Sequence, residues 1–298
     1  MSAGGTLWSR AMWVSALLAV DASLGGVTLR AAAGPFRDLW LAKFRTLLPA
    51  ETPWRRLPPG IAEGRLLGGL DLAATLSAGR PIAERGLLAE ADGGVVIVPM
   101  AERLTATVAG PLAAALDTGE ILVERDGLAL RSGSRFTVVQ LDEGIDDERA
   151  PAALTERLAF IVELDAARPD DEDFVTAAMI AEARQGLAAV TIEDAMLQAL
   201  CEVGLALGVG SSRAMILAAR AAKAAAALDG RDAVGPDDVT LAASLVIAPR
   251  ATMLPPPDTA DADESETSDE SSEDAPPDRD PDDATPPDPE GAGTLTDR

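Results

Sequence analysis

Gly25-Gly26-Val27-Thr28-Leu29-Arg30-Ala31-Ala32-Ala33-Gly34-Pro35-Phe36-Arg37-Asp38 reads as strand, loop and helix start. Paired glycines open the short strand Val27–Arg30, and Pro35, whose fixed φ suits a first helical position, begins helix-like text that runs to Leu48. Strand–loop–helix is where an α/β protein holds phosphate. Backbone N–H groups of a Gly-x-x-x-x-Gly-Lys-Ser/Thr loop cradle the anion, the lysine neutralises it, and the hydroxyl holds Mg²⁺. Laid over that pattern, Ala31 stands for the first glycine, Gly34 falls inside the loop, Phe36 stands for the second glycine, Arg37 for lysine and Asp38 for the hydroxyl. Phe36 is expected to fill space that the phosphates need, and Asp38 to place negative charge where the metal is held. The chain has only two lysines, Lys43 and Lys223, each following an alanine in helix-like text, so no intact loop of this kind exists elsewhere.

Working outward, Val95–Val98 reads as a buried strand. A water-activating site needs acidic residues at its end, and Pro99-Met100 stands there instead. Helix-like Leu104–Leu116 follows, then a hairpin (Ile121–Glu124, a type I′ turn at Asp126-Gly127, Leu128–Leu130), then strands Phe136–Val139 and Phe160–Leu164. A Pro-rich turn lies around Pro58–Gly60. Strands alternating with helices predict an α/β domain over residues 1–165, its mostly parallel sheet covered on both faces. The Ala-rich residues 166–252 predict a small helical domain, with a capping box at Thr191-x-x-Asp194 and a helix opening at Pro236-Asp237-Asp238. Residues 253–298 predict a disordered acidic tail. Between Pro255 and Arg298 there are sixteen acidic residues, nine prolines and two basic residues, too little apolar surface to offset the entropy of ordering. The string Asp263, Ser265, Thr267 within it resembles a metal-adhesion motif, but acidic Ser/Thr-rich text generates such strings by chance.

The whole chain carries a formal charge of −24, so phosphate backbones and anionic lipid surfaces are poor partners. The absence of histidine excludes imidazole acid/base chemistry and imidazole metal ligands, and a single cysteine, Cys201, excludes an internal disulfide. Ala11–Val20 loosely imitates a signal peptide, yet lacks an Ala-x-Ala site and meets Asp21; an amphipathic first helix and a cytoplasmic protein are expected. No run approaches the 18 or so apolar residues of a spanning helix.

The segments Gly25–Arg30 and Gly34–Asp38, Leu67-Gly68-Gly69-Leu70-Asp71-Leu72, Gly79-Arg80-Pro81, Arg85–Gly94, Pro151–Leu158, Ser212–Met215 and Ala218–Lys223, in that order, resemble the magnesium chelatase D subunit family over about residues 8–250. The resemblance implies an AAA+ type three-layer αβα fold. It also implies a place in the ATP-driven complex that inserts Mg²⁺ into protoporphyrin IX on the way to chlorophyll and bacteriochlorophyll. In that family the I subunit hydrolyses ATP, the D subunit is a ring platform with a degenerate nucleotide site, and the H subunit holds the porphyrin. A hetero-oligomer with I and H follows, with ATP and Mg²⁺ used by the partner and no cofactor held tightly by this chain. Family members continue past the acidic linker into an integrin I-type domain, so a chain ending at Arg298 is expected to be a fragment or a truncated member. The alternatives are an active AAA+ ATPase of the I class, disfavoured by the missing Gly-Lys-Ser/Thr, and an acidic interaction scaffold unrelated to tetrapyrroles.

By the same resemblance, Arg157 matches an arginine finger that enters a neighbour's nucleotide site, and Arg213 a second-sensor arginine that reaches phosphate from the helical domain. Their plain readings are a surface arginine paired with Glu156 or Asp165, and a helix-start surface residue. Arg37 is expected to form a salt bridge with Asp38 or Asp71 rather than to meet an anion. Asp71 is expected to cap or turn, Asp142-Glu143 to lie in a solvated loop, and Trp8, Trp13, Trp40 and Trp54 to anchor core or subunit interface.

Overall fold

The computed structural model describes residues 6–125, 128–164 and 175–253, and these described residues pack as one compact unit. The chain order is α1 (Leu7–Val20), β1 (Gly26–Arg30), α2 (Pro35–Thr46), β2 (Trp54–Arg56), α3 (Glu63–Leu67), β3 (Gly68–Leu70), α4 (Leu72–Ala78), β4 (Ala83–Arg85), α5 (Leu87–Glu90) and β5 (Gly94–Val98). It continues with α6 (Ala106–Thr118), the hairpin β6 (Glu120–Arg125) and β7 (Leu128–Gly133), β8 (Phe136–Asp142), α7 (Ala152–Thr155) and β9 (Phe160–Glu163). Helices α8 (Ala177–Gly186), α9 (Asp194–Ala206), α10 (Ser212–Leu228) and α11 (Pro236–Ala242) follow, and α11 runs on into a π turn, Ala243–Ile247.

Five strands form one parallel sheet in the order β2-β5-β8-β1-β9. Because side chains alternate along a strand, the central strands β5 and β8 feed two cores. Val27, Leu29, Val95, Ile97, Val139 and Leu141 join one apolar cluster with α1, α2 and the helices after residue 175. Val96, Val98, Phe136 and Val138 join the other with α3, α5, α6 and α7. The sequence-predicted strands and the parallel, doubly covered sheet are therefore present. The turn at Asp126-Gly127, the Asp263 string and the acidic tail lie outside the described residues.

Three expectations need correction. Helix α1 is not amphipathic: ten of its residues, among them Trp8, Ala11, Ser15 and Leu18, are buried, because α2, α8, α10 and β9 enclose it. A helix enclosed along most of its length is apolar nearly all round and has little polar face to display. Thr191 is not a capping residue: Glu193 stands at the N-cap of α9, while Thr191 bridges Ala233 and donates its N–H to the Asp232 carbonyl. Between Pro53 and Glu90, where only a turn was expected, the chain makes the edge strand β2 and the β3–β4 hairpin that carries α4. No residue of α4 is buried, and Leu72 and Leu76 are exposed.

The tryptophans serve the core. Trp40 is fully buried, donates its indole N–H to the Ala11 carbonyl at 2.8 Å and stacks on Phe44, which in turn meets Trp54.

Candidate functional site

The carboxyl edge of the sheet holds the phosphate-loop position. β1 ends at Arg30, Ala31 donates its N–H to the Asp142 carbonyl, and α2 starts one residue after Gly34. Arg37, in the first turn of α2, points inward and is nearly buried. Its Nη1 donates to Glu143 Oε1 at 2.5 Å, and its Nε lacks a partner among the described residues. The partner is thus Glu143, neither Asp38 nor Asp71, and this is a correction. Asp142-Glu143 is likewise no solvated loop: Asp142 is the buried last residue of β8, and its Oδ1 accepts the Gly144 N–H. The Glu143 N–H is held by Glu102 Oε2 at 3.0 Å.

The Phe36 side chain is exposed, 41% accessible. Asp38 is exposed in the first turn of α2, where a carboxylate complements the positive end of the helix. Asp71 caps α4, accepting the Ala74 N–H at 2.9 Å, as expected. Past β5, Pro99 turns the chain and Met100 takes a left-handed conformation, φ 46°, with an exposed side chain. A cavity of about 320 Å³ beside the loop is lined by Arg30, Ala31, Asp142, Glu143 and Glu163, among others. Three carboxylates against one guanidinium repel a polyphosphate, and the arginine that could meet one is already taken by Glu143. The residues present do not fit a Mg²⁺-nucleotide in the usual pose.

The amino edge holds the second cluster. β9 runs parallel to β1 with Phe160 beside Val27, so the segment just before β9 lies at the strand starts. At roughly 3.3 Å per residue, the five residues of β1 separate it from the loop by about 15 Å. Gly25 and Gly26 make this junction possible. Both have positive φ, and a Cβ on Gly25 would stand 2.2 Å from the Arg157 carbonyl and one on Gly26 1.9 Å from that of Val138. Arg250 closes the junction from the helical side, donating to the carbonyls of Leu158 and Ala159 at 2.6 and 2.9 Å. Burial pulls the Arg250 pKa down.

Arg157 and Arg213 meet here on one carboxylate, Asp117 at the end of α6. Arg157 Nε and Nη2 donate to Oδ2 at 2.9 and 2.5 Å, and Arg213 Nη1 to Oδ1 at 3.0 Å. The hydrogen bond from Arg157 holds the Asp117 carboxyl below its usual range, with Arg213 adding to it. Arg157 is therefore paired with Asp117 and not with Glu156; Asp165 lies outside the described residues. Arg213 stands with Arg157, at the sheet end opposite its own chain's loop. Sequence reasoning missed Asp117 and Glu102, and placed Glu143 in a solvated loop where it in fact holds Arg37. Asp117 lies 40 and 96 residues from its two partners, and no local pattern could have found it.

A parallel sheet in this order, a phosphate-loop position after β1 and a helical segment behind define an AAA+ type fold. A solved "putative ATPase" from Cytophaga hutchinsonii shares it, with a TM-score of 0.59 at 17% identity, covering 81% of this chain and 84% of that one. The AAA lid domain family matches residues 197–273. Over four fifths of its length the chain is a homologue of the 60 and 67 kDa D-type subunits of magnesium chelatase. It is 39% identical over 251 residues to the 60 kDa subunit of Rhodobacter capsulatus, covering 81% of this chain and 41% of that one. It is 33% identical over 259 residues to the 67 kDa subunit of Chlorobaculum parvum, covering 80% and 42%. The 38 kDa magnesium-chelatase subunit of Rhodobacter capsulatus is 30% identical over 226 residues, covering 67% and 64%. The chain spans about two fifths of the length of the 60 and 67 kDa relatives. Among the described residues no helix is long and apolar enough to cross a membrane.

Proposed function

We propose that the chain is the AAA+ platform part of a magnesium-chelatase D subunit. It assembles with the ATPase I subunit and the porphyrin-holding H subunit and couples ATP hydrolysis to Mg²⁺ insertion into protoporphyrin IX, without hydrolysing ATP itself. The observation that carries this reading is the closed loop position, where Arg37 is neutralised by Glu143 in place of a phosphate. Lysine, hydroxyl and the acidic pair after β5 are absent, so the loop and the end of β5 offer no group of the usual kind to neutralise a γ-phosphate, hold its Mg²⁺ or activate a water. ATP and Mg²⁺ then belong to the partner's site, and the contribution of this chain is made across a subunit contact. Arg157 and Arg213, side by side at the amino edge and both partly exposed, are the groups that would enter a neighbour's site, where a guanidinium stabilises charge on the transferring phosphoryl group.

Phosphate release from the purified chain is the test. No turnover is expected at any Mg²⁺ concentration, and robust hydrolysis by the chain alone would sink the reading.

A further inference from the structure

We propose that Asp117 is the resting counter-ion of the two arginines, the group that Arg157 and Arg213 leave when a nucleotide phosphate of a neighbouring subunit comes within reach. The inference rests on the ring-contact reading above. Two guanidiniums, one from the segment before β9 and one from α10, converge on the single carboxylate that α6 carries, and both of its oxygens are used by cations. Two guanidiniums on one carboxylate leave one positive charge in surplus, which draws a further anion. A carboxylate presents two oxygens much as a phosphate does, so one can replace the other on the same N–H groups.

The exchange needs no opening of the core. The side chains of Arg157, Asp117 and Arg213 are 22%, 33% and 46% accessible. The backbone beneath Arg157 is pinned by the Ala159 N–H on the Leu24 carbonyl and by Arg250 on the Leu158 and Ala159 carbonyls. The side chain therefore turns from one anion to another while its Cα stays in place. Asp117 competes with the phosphate and sets how readily the arginines transfer to it.

The test is Asp117→Asn in the subunit assembled with its ATPase partner, with Asp117→Ala as a second variant that also removes the hydrogen-bonding oxygens. The KM for MgATP is expected to fall by about two- to fivefold in either, the range that a partly exposed ion pair supplies. The fall should vanish when Arg157→Ala and Arg213→Ala are present. A packing defect at Asp117 would not lower KM, nor depend on both arginines. An unchanged or raised KM in the folded Asp117 variants, while the double arginine variant is impaired, overturns the counter-ion role alone. If the double arginine variant keeps the parental KM and kcat, the ring-contact reading fails and the role of Asp117 falls with it.

Discussion

At the scale of single residues, the two charged clusters differ in what their loss exposes. Glu143 neutralises a guanidinium that is nearly buried, so Glu143→Ala strands a charge that has little access to water. It is expected to cost about 2–3 kcal/mol, read as a lowered urea midpoint, because an unpaired buried ion costs more than its bond was worth. Asp117 is partly exposed, and its effect is best read through pH. Its folded pKa lies below the unfolded value, chiefly through the Arg157 hydrogen bond. Stability from this group is thus fully present above the unfolded pKa and is lost as pH falls through the folded one. Thermal midpoints followed downward from about pH 5 should fall more in the parent chain than in Asp117→Asn, with the difference opening below about pH 4. Parallel profiles would count against the pairing.

At the scale of elements, Ala-rich α10 and enclosed α1 explain each other. Ala218, Ala221, Ala222 and Ala225 are buried on α10, and small side chains let helices approach closely. The amino end of α1 is capped by Thr6, its carboxyl end is closed by a distant arginine, and Arg10 ties the helix outward. Arg184 donates to the Ala19 carbonyl at its carboxyl end at 2.6 Å, and Arg10 donates outward to the Ser244 carbonyl at 2.7 Å. The start of α11 is closed more locally. Asp238 Oδ2 accepts the Gly235 N–H at 2.8 Å, and Arg231 grips both carboxylate oxygens at 2.6 Å, which raises the Arg231 pKa. Asp238→Ala removes that closure and leaves Gly235 and Arg231 without it. A loss of about 1–3 kcal/mol is expected in chemical denaturation. The start of this helix was legible because proline and two acids stand at its amino end. The start of α9 was misread because Thr191 found a partner in Asp232, 41 residues away, which no capping pattern can anticipate.

At the scale of the whole molecule, one apolar cluster runs from the sheet through α1 into α8–α11, so the sheet and the helical segment share a core. Urea unfolding of residues 1–255 is therefore expected to be a single transition, with tryptophan fluorescence and far-ultraviolet circular dichroism coincident. Trp40→Ala, which empties a site between α1 and Phe44, should lower the whole transition by about 3–5 kcal/mol. Two separated transitions would show that the helical segment unfolds independently.

The strand–loop–helix after Gly25, the buried run before Pro99 and the missing lysine, hydroxyl and acid pair are properties of short segments, and the sequence by itself determined them. Alternation along strands and the chemistry of a phosphate loop are local, so the parallel sheet and the departures from the phosphate-loop pattern could be read from the sequence. Only the tertiary structure decided what took the phosphate's place, since Glu143 reaches Arg37 across 106 residues. Tertiary structure alone also brought Arg157 and Arg213 to the same carboxylate. The reason is physical: an ion pair is fixed by the meeting of surfaces that folding creates, and the text around each partner carries no trace of the other.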